Sequence, residues 1–226
     1  MNGMFMFLKY AQPPNLLGYC GPKSLSIERG SLLQFEGAVP YLRLIARANN
    51  IKDEFDERVV EAYWLGNDLL KNVSNKNLYR SVEERFRKKM GRKDWRWLMA
   101  ESIPEAKPHH VFHVFDIYRR AGLLRSGAKD KILETINSCR IGWGRVVATE
   151  LNTELNTEHF PLVFKGNKLQ FGEKIIKKII SFDSSIKAGD EVSFHWNYVC
   201  DKITSQQKRN LIHWTQYHLD ITNQTI

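Results

Sequence analysis

The chain has 226 residues, 42% of them hydrophobic, and a formal net charge of +9. That is enough apolar material for one large or two small packed domains, and it excludes a disordered or low-complexity chain. Three widely spaced cysteines, Cys20, Cys139 and Cys200, exclude a disulfide framework and suit a reducing compartment where each thiol is free to bind metal.

The opening MNGMFMFLKY reaches Lys9 early and no apolar run exceeds a few residues, so neither a signal peptide nor a membrane span is predicted. The expected location is cytoplasmic. The next stretch, FLKYAQPPNLLGYCGP, holds Pro13-Pro14-Asn15 and Gly18-Tyr19-Cys20-Gly21-Pro22, punctuation that predicts an ordered loop. A helix is predicted over 34–48, where Ala38, Leu42, Ile45 and Ala46 recur at helical spacing and Asn49-Asn50 ends the run. A second helix follows a cap at Asp53 or Asp56 and turns Val59, Val60, Tyr63, Trp64 and Leu70 inward. A third is predicted over 77–89, with Leu78, Val82 and Phe86 inward and Gly91 as its stop.

The segment Arg80–Arg96 carries eight basic residues against three acidic ones, a patch for phosphates or an acidic partner, or a solvated helix face. Beyond Pro104 and Pro108, HHVFHVFDIY is dense in β-branched and aromatic residues and reads as a buried strand or a short helix. Ile132, Leu133 and Ile136 predict another short helix over 126–137.

The texture changes at Cys139. RIGWGRVV, FPLVF, KLQFG, KIIKKIISF and GDEVSFHWNYV are five short β-rich runs, separated by turn residues such as Gly166-Asn167 and Ala188-Gly189-Asp190. That spacing predicts a small closed sheet. LNTELNTE, a doubled four-residue unit, reads as a polar loop, and Thr204-Ser-Gln-Gln207 as a capping box opening a C-terminal helix through Leu211, Trp214, Thr215 and Leu219. The predicted class is therefore α+β: a mainly helical domain over 1–137, then an OB-type β-barrel with a C-terminal helix over 138–226.

CRIGWGRVV, followed by GDEVSFHWNYVCDKIT, resembles the small hydrogenase assembly chaperones of the HypC/HupF type. Cys139, Gly142, Gly144 and Val146 match the first motif of that family, and Gly189, Asp190, Val192 and His195 match the second. The resemblance implies a HypC-like barrel in which Cys139 and His195 hold the iron that becomes the Fe(CN)2CO centre of nickel–iron hydrogenase. Cys139 departs from the family by being internal rather than next to an initiator methionine, and Trp143 stands where the family tends to have proline. The residues alone allow the same chemistry, since thiolate is a soft, strongly donating ligand and imidazole a borderline one. They equally allow Cys139 as a small buried hydrophobe and His195 as a strand residue bonded to backbone.

As a whole the chain also resembles an uncharacterised bacterial family found near nickel–iron hydrogenase genes, through Tyr10–Pro22, Pro108–Phe115 and Val192–Cys200.

A second candidate site lies in Pro108-His109-His110-Val-Phe-His113. Residues four apart share a face in a strand and in a helix alike, so His109 and His113 are a candidate metal pair, with Asp116, Cys20 or Glu101 available to complete it. The alternative is a set of core histidines. No HExxH, GxGxxG or GxxxxGK[ST] pattern occurs, which excludes the usual metalloprotease and nucleotide-binding loops. Cys20, between two glycine turns, is a candidate cofactor-binding thiol or nucleophile, or simply part of a tight buttress. Cys200 is expected in the core.

The leading expectation is a hydrogenase-maturation metallochaperone that binds iron and docks a maturation protein or the hydrogenase large-subunit precursor. The alternatives are a metal-dependent enzyme using His109 and His113, and a nucleic-acid-binding module using the Arg80–Arg96 patch. Nucleic acid is the weaker, because residues 139–226 carry 11 Lys and Arg against 9 Asp and Glu, leaving the barrel nearly neutral.

Overall fold

Helix α1 (Gly3–Leu16) runs straight through the segment predicted to be a loop, prolines included. Asn2 caps it by accepting the Met4 N–H at 3.0 Å. Pro13 and Pro14 fall in its last turn, so the two i→i−4 bonds they remove are lost at the end of the helix rather than in its middle. Their missing N–H groups leave the carbonyls of Lys9 and Tyr10 without helical donors. A Schellman turn then ends the helix: Gly18 N–H bonds Asn15 O at 3.0 Å and Tyr19 N–H bonds Pro14 O at 2.9 Å. Gly18 sits at φ 73°, the left-handed conformation that this cap requires.

The computed structural model describes residues 2–86, 103, 105–120, 129–150 and 153–224. Short helix α2 (Arg29–Leu32) leads to α3 (Val39–Ala48), which starts later than the sequence suggests because Pro40 sets its first turn. α4 (Glu57–Trp64) is capped by Asp56, whose carboxylate accepts the Arg58 N–H at 2.9 Å. A 3-10 turn (Asp68–Asn72) and α5 (Asn75–Phe86) follow. The predicted end of α5 near Lys89 and Gly91, and most of the Arg80–Arg96 patch, lie outside the described residues. The histidine-rich stretch is a helix, α6 (His110–Arg120), and α7 (Lys129–Cys139) carries Cys139 as its last residue rather than as the start of a strand.

The remaining strands are β1 (Gly142–Thr149), β2 (Glu154–His159), β3 (Leu162–Lys165), β4 (Lys168–Phe171), β5 (Ile175–Ile180), β6 (Glu191–His195) and β7 (Tyr198–Lys202), before α8 (Ser205–Thr222). Five of them close into a barrel in the order β1-β2-β5-β7-β6. The membership differs from the sequence reading in three places. LNTELNTE supplies β2, because Leu155, Thr157 and His159 alternate into the buried face while polar residues point out. FPLVF and KLQFG pair with each other as a separate β3–β4 hairpin across Gly166-Asn167. GDEVSFHWNYV folds back on itself as β6 and β7 through Trp196 (φ 49°) and Asn197 (φ 69°), the two left-handed positions of a tight hairpin. The Thr204–Gln207 capping box is present at the start of α8.

The helical part and the barrel part meet in one hydrophobic cluster, which holds Tyr10, Trp64 and Phe112 together with Trp143, Cys200, Leu211 and Trp214. Tyr10 reaches β6 through a buried hydrogen bond between its hydroxyl and Ser193 Oγ at 2.8 Å, and Lys9 pairs with Asp201 of β7 at 2.8 Å. Gly66 lets α8 approach α4, since any side chain there would overlap the Trp214 indole. These contacts fix α1 against the end of β6, and the site forms at that junction. No helix among the described residues is long and apolar enough to cross a membrane.

Candidate metal centre

The carbonyl that Pro14 releases on α1 determines the state of a histidine on the barrel. Tyr10 O lies 2.8 Å from His195 Nδ1. A carbonyl only accepts, so Nδ1 carries the proton and the lone pair falls on Nε2. That Nε2 is buried and makes no hydrogen bond of ordinary geometry, although the Cys139 backbone lies close enough to raise the ring's affinity for a proton. A buried nitrogen lone pair left open in this way costs on the order of 1–3 kcal/mol. It is the arrangement found in metal-ligating histidines, whose second nitrogen is fixed by a backbone carbonyl.

Two further donors face it. His110, the first residue of α6, Cys139, the last of α7, and His195, the last of β6, place their ligand atoms within 4.8 Å of one another. This cluster can hold a metal ion. A family model described as a family of unknown function, DUF6390, matches residues 1–226. The chain belongs to that family. No curated protein and no solved structure matches it.

The three donors line a cavity of about 170 Å³ whose other walls are aromatic, chiefly Phe35, Tyr63, Trp64 and Trp196. His110 has both ring nitrogens engaged: Nε2 lies 2.8 Å from Cys139 O and Nδ1 lies 3.2 Å from the Tyr63 hydroxyl. An ion bound there has to displace one of these contacts. The Tyr63 contact is the cheaper to lose, because that hydroxyl can turn its proton to Gly37 O at 3.3 Å.

Burial, then the neighbouring His195, holds the His110 imidazole well below its usual range, and burial pulls His195 down to about 4. Burial and then Cys20 push the Cys139 thiol up to about 12, partly opposed by a contact with the Trp196 side chain. At neutral pH the metal-free cluster is therefore two neutral imidazoles and a protonated thiol, and an incoming cation must expel the thiol proton.

The two sites expected from sequence converge here in part. Cys139 and His195 are in the cluster, and His113 lines the same cavity with Nδ1 3.3 Å from the Tyr41 hydroxyl. Cys20 stands at the rim, exposed. Enough protein surrounds its sulfur that desolvation still pushes the thiol up to about 11, but the exposed area decides what reaches it from solvent. His109 is elsewhere: it stacks on His218 with ring centroids 5.7 Å apart, its Nδ1 accepts the Val111 N–H at 3.3 Å, and burial holds it neutral. Cys200 is a core residue. Glu101 and the side chain of Asp116 lie outside the described residues.

Two contributors were not singled out in the sequence. His110 was passed over for its neighbour, although in a helix His110 and His113, three apart, also share a face. Trp196 gave no turn signal, since a bulky residue in the left-handed region is an outlier that sterics disfavour. Its indole is stacked on Tyr19 at 3.8 Å and 15°, and both residues line the cavity.

Proposed function

We propose that this protein binds a transition-metal ion through His110, Cys139 and His195, that the ion is iron, and that the protein serves nickel–iron hydrogenase maturation as a metallochaperone for iron or an Fe(CN)2CO fragment. The observation that carries the metal reading is His195 Nε2, deprotonated, buried and unpartnered, within 4.8 Å of a second imidazole and a thiol. One soft thiolate with two borderline imidazoles suits late first-row metals and disfavours magnesium or calcium, which take oxygen ligands. The three donors within 4.8 Å of one another leave a coordination position for a further ligand or for cargo.

The iron and hydrogenase part rests on the resemblance of the Cys139 and His195 motifs to HypC/HupF chaperones. It is supported by both residues lying in one cluster. The partner in this reading is a maturation protein or the large-subunit precursor.

A second reading is favoured by the cavity itself. Its volume of about 170 Å³ is several times the ~30 Å³ share of a water molecule. A small substrate can therefore sit against the bound ion, and the protein would then be a metal-dependent enzyme with His113 in the wall.

Anaerobic purification followed by metal analysis and infrared spectroscopy tests both readings. The expected result is close to one iron per chain, lost in Cys139→Ala, His195→Ala and His110→Ala and kept in His109→Ala, with cyanide and carbonyl stretches if the cargo is the assembled fragment. Iron retained by the Cys139 and His195 variants, or a wild-type protein that takes up no metal, would overturn the proposal.

A further inference from the structure

Among the described residues, the walls of the cavity around the cluster carry no Asp, Glu, Lys or Arg. A divalent ion held by two neutral imidazoles and the Cys139 thiolate therefore keeps a net charge of +1 inside an aromatic enclosure, where an uncompensated charge is costly. One more anionic donor removes that charge. The tyrosines Tyr19 and Tyr63 are poor candidates, being hard oxygen donors with a solution pKa near ~10. Among the described residues that line the cavity, this leaves the thiol at the rim, Cys20.

We infer that Cys20 is the fourth protein ligand, a second thiolate brought onto the ion by the turn that follows α1. This inference rests on the metal reading above and completes its ligand set. Cys20 lines the same cavity as the three donors. It is not among the donors already within 4.8 Å of one another, so it reaches the ion by a local closure of the turn.

The turn is built for that position. The Schellman cap reverses the chain at Gly18, and Asn15 Nδ2 donates to Cys20 O at 3.0 Å and to Pro22 O at 2.7 Å. Tyr19 is stacked on Trp196, the residue that follows the ligand His195. The left-handed backbone of Trp196 is a strained conformation of the kind that clusters at ligand clamps. Independently of the cysteine, the partnerless Nε2 of buried His195 points to an ion in this cavity. A thiolate on an exposed turn and a thiolate on a helix end divide the work: Cys139 anchors the ion, and Cys20 closes over it and opens for transfer.

Cobalt(II) added anaerobically to the full chain tests this, because each thiolate ligand contributes its own near-ultraviolet charge-transfer intensity. In Cys20→Ser the intensity per bound cobalt is expected to fall to about half of the wild-type value, with the visible ligand-field bands still present. Cys139→Ser should show a comparable loss. Cys20 is exposed, so the Ser variant should keep the wild-type unfolding midpoint, which the same samples report. A Cys20→Ser spectrum equal to wild type per bound cobalt overturns this inference and leaves the three-donor site standing. A wild-type protein that binds no cobalt overturns both.

Discussion

Acidifying the metal-free protein from pH 7 to pH 5 is expected to remove roughly 5 kcal/mol of its stability. Burial holds His159, His195 and His218 down at about 3, about 4 and about 4, in His159 with help from Arg140. Each is 2% exposed or less, so little solvent screening reduces these shifts. In the unfolded chain the same groups titrate near ~6.5. The unfolded state thus binds more protons between those values, and the stability contributed by the neutral imidazoles is present above pH ~6.5 and lost as pH falls toward 4.

Over two pH units each of the three costs about 1.8 kcal/mol, roughly 5 kcal/mol together, against the 5–15 kcal/mol of a typical domain. His109 and His110 are depressed by burial too and act in the same direction. Circular dichroism against pH should show a cooperative transition near pH 5. A protein as stable at pH 4.5 as at pH 7 would mean that these imidazoles are not buried neutral.

The second large effect concerns the link between Pro14 and His195. His195→Ala deletes a proposed ligand, opens a cavity beside Trp64 and leaves Tyr10 O without its donor. The cavity and the orphaned carbonyl together should cost about 3–5 kcal/mol in urea unfolding of the metal-free protein. Zinc at a hundred times its dissociation constant should add about 2.7 kcal/mol to the wild type and nothing to the variant.

Pro14→Ala in the His195→Ala background returns an N–H four residues from Tyr10 O and is expected to recover about 1 kcal/mol of stability without recovering zinc binding. That pattern separates the structural part of His195 from its metal part. Recovery of zinc binding in the double variant would show that His195 is not a ligand.

Much of the architecture was legible because local chemistry agrees with the fold. The Thr204–Gln207 box, the Gly166-Asn167 turn and the Asp56 cap all act where the sequence places them. The errors came where tertiary contacts supply what local signals lack. A Pro-Pro step reads as a helix breaker, yet here the carbonyl it frees is taken by a histidine 185 residues away in sequence. LNTELNTE reads as a loop because only Leu155 is apolar on its buried face, the other inward positions being Thr157 and His159. A two-residue hairpin at Trp196-Asn197 carries no glycine to announce it.

The site was half legible. Cys139, His195 and the histidine cluster were all visible as residue types, but they appeared as two rival sites, one in each part of the chain. No spacing rule places residue 110 beside residues 139 and 195. His109 was chosen over His110 because a four-residue spacing to His113 shares a face in strand and helix alike; in the helix that forms, His110 and His113, three apart, share a face as well.

X-ray absorption of the zinc-loaded protein tests the central claim most directly. The account predicts two imidazole nitrogens at about 2.0–2.1 Å and sulfur at about 2.3 Å, with the sulfur shell lost in the Cys139→Ala, Cys20→Ser double variant. A shell of oxygen and nitrogen alone, unchanged by those substitutions, would contradict it.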